Sequence, residues 1–500
     1  MAVMGSLKKG RFVSNNGITR QFAEFVEEMQ FSRLPPEVVE QTKDYIMDCI
    51  GCTMGSYAVP EGRLIAKLTE EFGTKGECTI LPNAEKVSAA TATFVNCKLC
   101  NFIDADETLY NYYHIGGVPV YAALHAAEKL GTSGKDFLTA VVLGYEFAYR
   151  FCRNYALLTI NETGGTNIAK SSGFGFNSIA SAVAAAKAMN LDKERIQHAM
   201  GIAGYYTPIP LLSKWLHAKT IGILKYQDMG WFGFTGLMAA LLSRGGYTSD
   251  YGIIDDLDEY SFWKAFGMLE FNPKDMIDNL GKNWGIMEMG IKPYPCCRWF
   301  HTPIYLLKTM MKDKGLKPDD IKAITVGIHP VVAKSELFIN VGNWADWKLK
   351  DAVHSQYSLA YNLACAAYDI PIGPQWQLVE TLNNPRLIDF SRKVTTVKDE
   401  KCEQKMIDYL KSGQHKGKLM SQVHYTLEVV SNKGQFKETA DYVYGDTYEP
   451  EHCLSKDELK QKFVGNSSAT LNQGTITKVI DAVYKIDDYK SISDFTALFR

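Results

Sequence analysis

Residues 101–117, NFIDADETLYNYYHIGG, place two carboxylates, a hydroxyl and an imidazole between two apolar segments. The polar groups are Asp104, Asp106, Thr108 and His114. The flanking sequences, KVSAATATFVNCKLC and VPVYAALHAAEKLG, repeat small and apolar residues at helical spacing. Ionisable groups in such a frame need either partners or a function, although a solvated loop with a helix cap is the alternative interpretation.

The composition is that of an ordinary soluble globular protein. A chain of 500 residues predicts more than one domain, and two is the favoured number. A formal charge of −2 indicates neither a nucleic acid nor an anionic membrane as a partner. We find no apolar run long enough to span a bilayer and no apolar signal core near the N-terminus. We therefore expect a cytoplasmic protein.

Eleven cysteines are scattered through the chain, which fits a reducing compartment better than a disulfide framework. Two pairs, Cys49–Cys52 and Cys97–Cys100, have the spacing of metal ligands. Both pairs lie in segments with helical spacing of small apolar residues, where free buried cysteines are common. The sequence therefore predicts no metal site.

The fold class that the sequence predicts is mainly α. Helical periodicity dominates residues 1–289, whereas residues 290–447 combine helices with β-branched runs such as IKAITVGIHPVV and VTTVK. Residues 448–500 are helical again. We predict a large all-helical domain, formed by the first and last segments, and a smaller α+β lid domain inserted between them.

Three further groups could carry chemistry. Lys225 lies in an otherwise apolar stretch that predicts a helix. Its ammonium group would face a cleft or pair with a carboxylate there, or the side chain would extend to solvent. Lys292, Arg298 and His301 lie in IKPYPCCRWFH at the predicted domain junction, a favoured place for a ligand cleft, although a rigid linker with surface charges is equally compatible. The last group is on a predicted helix of the lid and comprises His354, Tyr357 and Tyr361.

These motifs together resemble the MmgE/PrpD family. The resemblance rests on D-x-D-x-T-(x)5-H followed by glycines, on the segment GLMAALLSRGGYT, and on FWKAFG, KPYPCCRWFH and YSLAYNLA in the same order. That family includes 2-methylcitrate dehydratase, cis-aconitate decarboxylase and iminodisuccinate epimerase. The resemblance implies the two-domain plan above, a homodimer, and catalysis in the interdomain cleft without a metal or organic cofactor.

The resemblance also implies roles for individual residues. Those that match the catalytic positions of the family are Asp104, Thr108, His114, Lys225, Lys292 and Tyr361. Those expected to bind substrate are Asp228, Cys297, Arg298 and His301. His114 is expected to act as acid or base with Asp104 setting its tautomer, and the two lysines to bind the carboxylates of the substrate.

The chain departs from the family pattern near these positions. The region GGTNIAKSSGFGFNS has no histidine where many members have one, Asp228 replaces a histidine of some members, and Cys297 stands where decarboxylase-type members have histidine. These changes favour a substrate with fewer carboxylates, or one with an apolar arm received by aromatic residues. The aromatic candidates are Tyr110, Tyr112, Tyr113 and Trp231.

The sequence thus predicts a cofactor-free lyase acting on a small carboxylic acid, with dehydration or hydration of a compound resembling 2-methylcitrate as the first expectation. Decarboxylation of the cis-aconitate type and epimerisation are the alternatives within the family. A non-catalytic carboxylate-binding protein is the alternative outside catalysis.

Overall fold

The computed structural model describes most of the chain. The described residues are 17–72, 75–109, 113–153, 158–160, 164–168, 171, 173–217, 222–265, 268, 271–334, 351–412, 423–447 and 450–499. Tyr110 and Tyr112 lie outside them. The prediction of a mainly α fold is confirmed.

Helices dominate the first half of the described chain. They are α1 (Ile18–Glu28), α2 (Pro36–Ala58), α3 (Pro60–Phe72), α4 (Ala89–Phe102), α5 (Val118–Leu130), α6 (Gly134–Cys152), α7 (Phe176–Ala188), α8 (Lys193–Tyr205), α9 (Leu212–Leu216), α10 (Met229–Arg244) and α11 (Phe262–Ala265). Short antiparallel hairpins interrupt them: β1 (Cys78–Ile80) with β2 (Glu85–Val87), β3 (Thr108–Leu109) with β4 (Tyr113–His114), and β5 (Leu158–Ile160) with β6 (Thr166–Ile168).

The alanine-rich helix α7 lies at the centre of this half. It packs against α5, α6, α8 and α10, and nearly all of its side chains are buried. Small residues allow the close approach, since a Cβ at Gly144 of α6 would lie 2.9 Å from the Cβ of Ala184. The alanines of this segment therefore serve the helix packing, and the helix ends at Ala188.

The helix predicted to contain Lys225 begins later than expected. Helix α10 starts at Met229, because the Asp228 side chain accepts a hydrogen bond from the Gly230 backbone N–H at 3.0 Å and so caps the helix. Lys225 therefore lies in the segment that enters the helix, outside its regular turns. Of the described helices, none combines the length and the apolarity needed to cross a membrane.

The second half contains one four-stranded sheet, ordered β10–β9–β7–β8. Its strands are β7 (Ile321–Ile328), β8 (Val394–Lys398), β9 (Tyr425–Ser431) and β10 (Gly434–Ala440). The β9–β10 hairpin turns at Asn432 and Lys433, as the SNKGQ sequence predicts. Strands β7 and β8 pair in parallel, which requires a crossover, and helices occupy much of the described part of the intervening chain. The helices of this half are α12 (His301–Asp313), α13 (Pro330–Lys334), α14 (Ala352–Gln356), α15 (Leu359–Ala367), α16 (Val379–Leu382), α17 (Pro385–Ser391) and α18 (Glu400–Lys411).

The C-terminal helices are α19 (Lys456–Ser467), α20 (Gln473–Tyr484) and α21 (Ile492–Thr496). Helix α19 begins with a capping box between Ser455 and Glu458 and packs on α2. A Cβ at Gly51 of α2 would lie only 3.0 Å from the Phe463 ring, so this glycine sets the close spacing of the two helices. The domain boundaries at residues 290 and 447 stay predictions.

Candidate active site

The loop after α4 places Asp104 between two lysines. Asp104 has a backbone φ of 59°, and its two carboxylate oxygens lie 2.7 Å from the Nζ of Lys225 and 2.7 Å from the Nζ of Lys292. Lys225 also donates to the Asn101 carbonyl at 2.8 Å. Burial alone would raise the pKa of Asp104, but the two ammonium groups outweigh it and hold that pKa far below its usual value. Asp104 is therefore an ionised, buried carboxylate shared by two lysines.

His114 is oriented by Asp106. Its Nδ1 lies 3.0 Å from an Asp106 oxygen, and the Asn101 amide donates to both oxygens of the same carboxylate at 3.0 Å. A carboxylate can only accept, so the neutral imidazole carries its proton on Nδ1 and leaves the Nε2 lone pair free. Burial lowers the pKa of His114, with Lys292 adding to the effect and Asp106 opposing it. At neutral pH the ring is therefore a base held in one tautomer.

This contact corrects one sequence-based assignment. We expected Asp104 to set the tautomer of His114, but Asp106 makes that contact and Asp104 serves the lysines. The short β3–β4 hairpin explains the arrangement, because Thr108 and His114 are cross-strand partners and so present their side chains on one face. Thr108 also exchanges two backbone hydrogen bonds with Gly290, which ties the hairpin to the segment carrying Lys292.

The backbone conformation of the two residues before α5 favours glycine. Gly116 and Gly117 have φ values of 62° and 65°, in the left-handed region that favours glycine. A Cβ at Gly117 would also lie 2.8 Å from the Sγ of Cys100 and 3.0 Å from that of Cys49. Glycine is therefore the favoured residue at both positions of the turn between His114 and α5.

A cavity of about 90 Å³ opens beside this hairpin. Its polar wall consists of Thr108, His114 and Arg298, with the Tyr357 ring beside them. Arg298 is already engaged, since it donates to the Leu109 carbonyl at 2.7 Å and to Asp446 at 2.6 Å. The remaining lining is Phe174, Leu212, Trp215, Leu216, Tyr226, Cys297, Trp299, Val331 and Val332.

Of the predicted site residues, six do not line the cavity: Asp104, Lys225 and Lys292, which form the cluster described above, and Tyr361, Asp228 and His301. The Tyr361 hydroxyl donates to the Trp376 carbonyl at 2.8 Å and does not line the cavity. Tyr357, four residues earlier and between α14 and α15, lines the cavity instead. Asp228 is used as a helix cap and pairs with Lys98, so it neither meets Lys225 nor reaches the cavity. His301 is fully buried and contacts the Cys296 carbonyl through Nε2 at 3.1 Å.

Sequence reasoning missed one lysine. Lys462 of α19 forms an ion pair with Asp48 and donates to the Ala105 carbonyl at 2.7 Å, between the two aspartates of the loop. Burial raises the pKa of Asp48 to about 6, against the lowering effect of Lys462. The C-terminal segment thus helps to fix the loop that holds Asp104 and Asp106. Lys462 lies in an ordinary helical pattern, and no motif marks it.

Two clusters within the described residues bring three potential metal ligands together. One is Asp104, Asp106 and His114, where the Lys225 and Lys292 ammonium groups already supply the positive charge that the Asp104 oxygens accept. The other is Cys49, Cys100 and Glu107, which takes one cysteine from each CxxC pair. Cys52 instead faces Asp48, and Cys97 lies beside Gly233, so the four cysteines do not converge.

Glu107 anchors the turn after His114. Its Oε1 accepts from the Gly117 N–H at 2.8 Å and from the Tyr145 hydroxyl at 2.8 Å. Burial, followed by the charge of Asp106, raises the pKa of Glu107 to about 8. The carboxyl group is therefore protonated over much of the neutral range.

This protonation predicts a pH dependence of stability. The unfolded chain releases the Glu107 proton near its ordinary pKa of 4.5, whereas the folded chain keeps it until about pH 8. Folded protein thus binds more protons in that interval, and stability falls as the pH rises through it. We expect Glu107→Gln to remove this contribution, so that between about pH 5 and about pH 8 the variant loses less free energy of unfolding than the wild type, by on the order of 2 kcal/mol.

Chemical denaturation of both proteins at several pH values checks this expectation. Parallel pH profiles for the wild type and the glutamine variant would contradict a protonated Glu107.

Two family models together match most of the chain. The family model "MmgE/PrpD N-terminal domain" matches residues 20–267, and "MmgE/PrpD C-terminal domain" matches residues 294–486. Cis-aconitate decarboxylase of Aspergillus terreus is 24% identical over 411 residues, covering 78% of this chain and 80% of the relative. The cis-aconitate decarboxylase-like protein oryM of Aspergillus oryzae is 25% identical, covering 63% of this chain and 67% of the relative. The human cis-aconitate decarboxylase is 22% identical, covering 97% and 94%. The chain belongs to the MmgE/PrpD family.

Proposed function

We propose that this protein is a lyase that acts on a small carboxylic acid by moving a proton at the carbon next to the carboxylate. The observation that carries the proposal is the neutral imidazole of His114, fixed by Asp106 and lining a cavity near a lysine–aspartate cluster. A base with a lowered pKa, held in one tautomer, suits proton abstraction near neutral pH. Family membership and the decarboxylase relatives support a lyase-type reaction.

Dehydration is the first candidate reaction. The Nε2 of His114 takes the proton from the α-carbon, the electron pair of that C–H bond forms the double bond, and the C–O bond at the β-carbon breaks. The leaving hydroxide takes this proton back from the imidazolium and departs as water, which restores the neutral His114. Asp106 stabilises the imidazolium that forms, and the hydroxyls of Thr108 and Tyr357 position the departing group.

The two lysines act from behind the cavity wall. With Asp104 they carry a surplus of one positive charge, two ammonium groups against one carboxylate. This charge favours a substrate carboxylate and the negative charge that develops on it when the α-proton leaves.

Decarboxylation is the second candidate, favoured by the names of the relatives and by the mostly apolar cavity. Here the bond to a carboxylate carbon breaks, carbon dioxide leaves, and the electron pair is protonated on carbon. The same His114, once protonated, can deliver that proton.

Product analysis separates these reactions. Proton NMR of the purified protein in heavy water would follow hydroxy acids and unsaturated acids, among them 2-methylcitrate and cis-aconitate. New vinylic signals with loss of the hydroxyl would establish dehydration, and release of carbon dioxide would establish decarboxylation. Deuterium uptake at the α-carbon without net product would indicate an epimerase. Tight binding of an acid without any of these changes would contradict the lyase and favour a non-catalytic binding protein.

We also propose that the protein forms a homodimer through an apolar surface beside α10, defined by Ile209, Leu211, Leu224 and Trp231. These side chains line one groove and are 44%, 66%, 65% and 52% exposed, respectively. Contiguous exposed apolar surface of this kind typically marks an interface.

The double substitution Leu211→Glu with Leu224→Glu is expected to convert the dimer to monomer, because it places two charges in an apolar contact. Light scattering after size-exclusion chromatography measures this directly. Val379→Glu, at a site that is 51% exposed on α16, is the control and should leave the mass unchanged. A wild-type monomer would contradict the proposal.

A further inference from the structure

The cavity lining combines reactive and apolar side chains. Thr108 and His114 of the β3–β4 hairpin are the reactive ones. The apolar lining includes Leu212 and Leu216 of α9, together with Val331 and Val332 at the start of α13. The two helices come from the two halves of the chain that the family models match separately. A ligand with its reacting carbon at His114 therefore extends into apolar surroundings.

The charges around the cavity match a single carboxylate. Lys225 and Lys292 share Asp104, which leaves a surplus of one positive charge. Arg298 is neutralised by Asp446 at 2.6 Å and adds no surplus. The Asp106 carboxylate faces the neutral His114, so the charges of these groups sum to zero before the reaction and to one positive charge once the imidazole has taken up the substrate proton. Among the described lining residues, a second or third carboxylate meets no unpaired cation, and burying it there would be unfavourable.

Cys297 reinforces this charge balance. It lines the cavity and follows Cys296 directly before Arg298 in the chain. Burial raises the pKa of its thiol to about 12, so the side chain is neutral at physiological pH. It therefore supplies no positive charge to bind a second carboxylate. The volume of about 90 Å³ is also below the roughly 300–1,000 Å³ of most ligand pockets.

We propose, on the basis of the proposed lyase function, that the substrate is a monocarboxylic acid with a short apolar arm. The carboxylate and reacting carbon lie at the hairpin, and the arm lies between α9 and α13. Under the dehydration chemistry above, this describes a 3-hydroxy acid and its 2-unsaturated product. Water balances the reaction, and no co-reactant is needed.

Two substrate series test this proposal. The first is 3-hydroxy monocarboxylic acids with alkyl arms of increasing length, and the second is citrate and 2-methylcitrate, which carry three carboxylates. We expect kcat/KM to favour the first series at least tenfold. Each methylene added to the arm should raise kcat/KM about fourfold until the cavity is full.

Variants of Leu212, in the apolar lining of the cavity, add a second readout, the preferred length of the alkyl arm. Leu212→Ala enlarges the cavity and is expected to move the preferred arm to longer acids, whereas Leu212→Phe should move it to shorter ones. Opposite shifts would not follow from a general loss of stability. The same two substitutions at Leu64, which is 55% exposed on α3, are the matched controls and should leave the preference unchanged.

The outcomes separate the substrate class from the reaction. Turnover that favours the tricarboxylates, with no shift in the Leu212 variants, would overturn the single-carboxylate proposal while leaving the lyase intact. If no acid is turned over, the lyase proposal fails, and calorimetric titration with the same acids decides the substrate class. The single-carboxylate proposal is supported if the alkyl monocarboxylates bind to the wild type and at least tenfold more weakly to Leu212→Phe. It is overturned if they do not bind.

Discussion

Asp104→Asn is expected to lower the free energy of unfolding by about 3–5 kcal/mol. The Asp104 carboxylate is the shared partner of the Lys225 and Lys292 ammonium groups, at 2.7 Å from each, and all three side chains are buried. An asparagine can accept from one lysine but turns an N–H donor toward the other. One ammonium group must then lose its proton or draw water into the site.

Chemical denaturation at neutral pH measures this effect. The control is Asp389→Asn, which removes the partner of Arg392 at a surface where both side chains are more than half exposed. Exposed pairs contribute little, so the control should change the free energy of unfolding by less than about 1 kcal/mol. Equal effects at the two positions would contradict the role of Asp104 as the shared counter-ion of a buried cluster.

His114→Gln is expected to lower kcat by roughly 100- to 10,000-fold while the protein stays folded. Glutamine preserves a donor toward Asp106 but has no basic nitrogen to take up a proton. KM should change much less, because the cavity wall keeps its shape. Asp106→Asn should lower kcat as well, since asparagine can donate to Nδ1 and so favours the tautomer with its proton on Nε2.

Steady-state kinetics with whichever acid proves to be a substrate would check both variants. A glutamine variant with wild-type kcat would remove His114 from the reaction. An asparagine variant that matched the wild type would contradict the orienting role of Asp106.

The sequence predicted the frame of the site well because local patterns determine it. The helices on both sides of residues 101–117, the α7 core and the β9–β10 hairpin all follow from residue periodicity and turn residues. Family motifs identified Asp104, His114, Lys225 and Lys292, and the structure brings these four residues into one buried region.

The details that the sequence missed depend on contacts between distant residues. From the sequence alone, Asp104 and Asp106 are equally good partners for a histidine. The loop geometry places Asp104 against the lysines and Asp106 against His114. Tyr357 and Tyr361 lie on one predicted helix in the sequence, whereas the structure ends α14 at Gln356 and begins α15 at Leu359. Tyr357 lines the cavity, and the Tyr361 hydroxyl donates to the Trp376 carbonyl instead. Lys462 reaches the loop from a separate segment of the chain, which no local pattern can indicate.

The most direct test of the mechanism is deuterium exchange at the α-carbon of a bound acid, followed by proton NMR in heavy water. The proton transfer that we assign to His114 predicts exchange with the wild-type protein, and a loss of at least 100-fold with His114→Gln under the same conditions. Leu64→Ala, a folded variant altered far from the site in sequence, should exchange like the wild type. Exchange that continues undiminished in the glutamine variant would contradict His114 as the group that moves the proton.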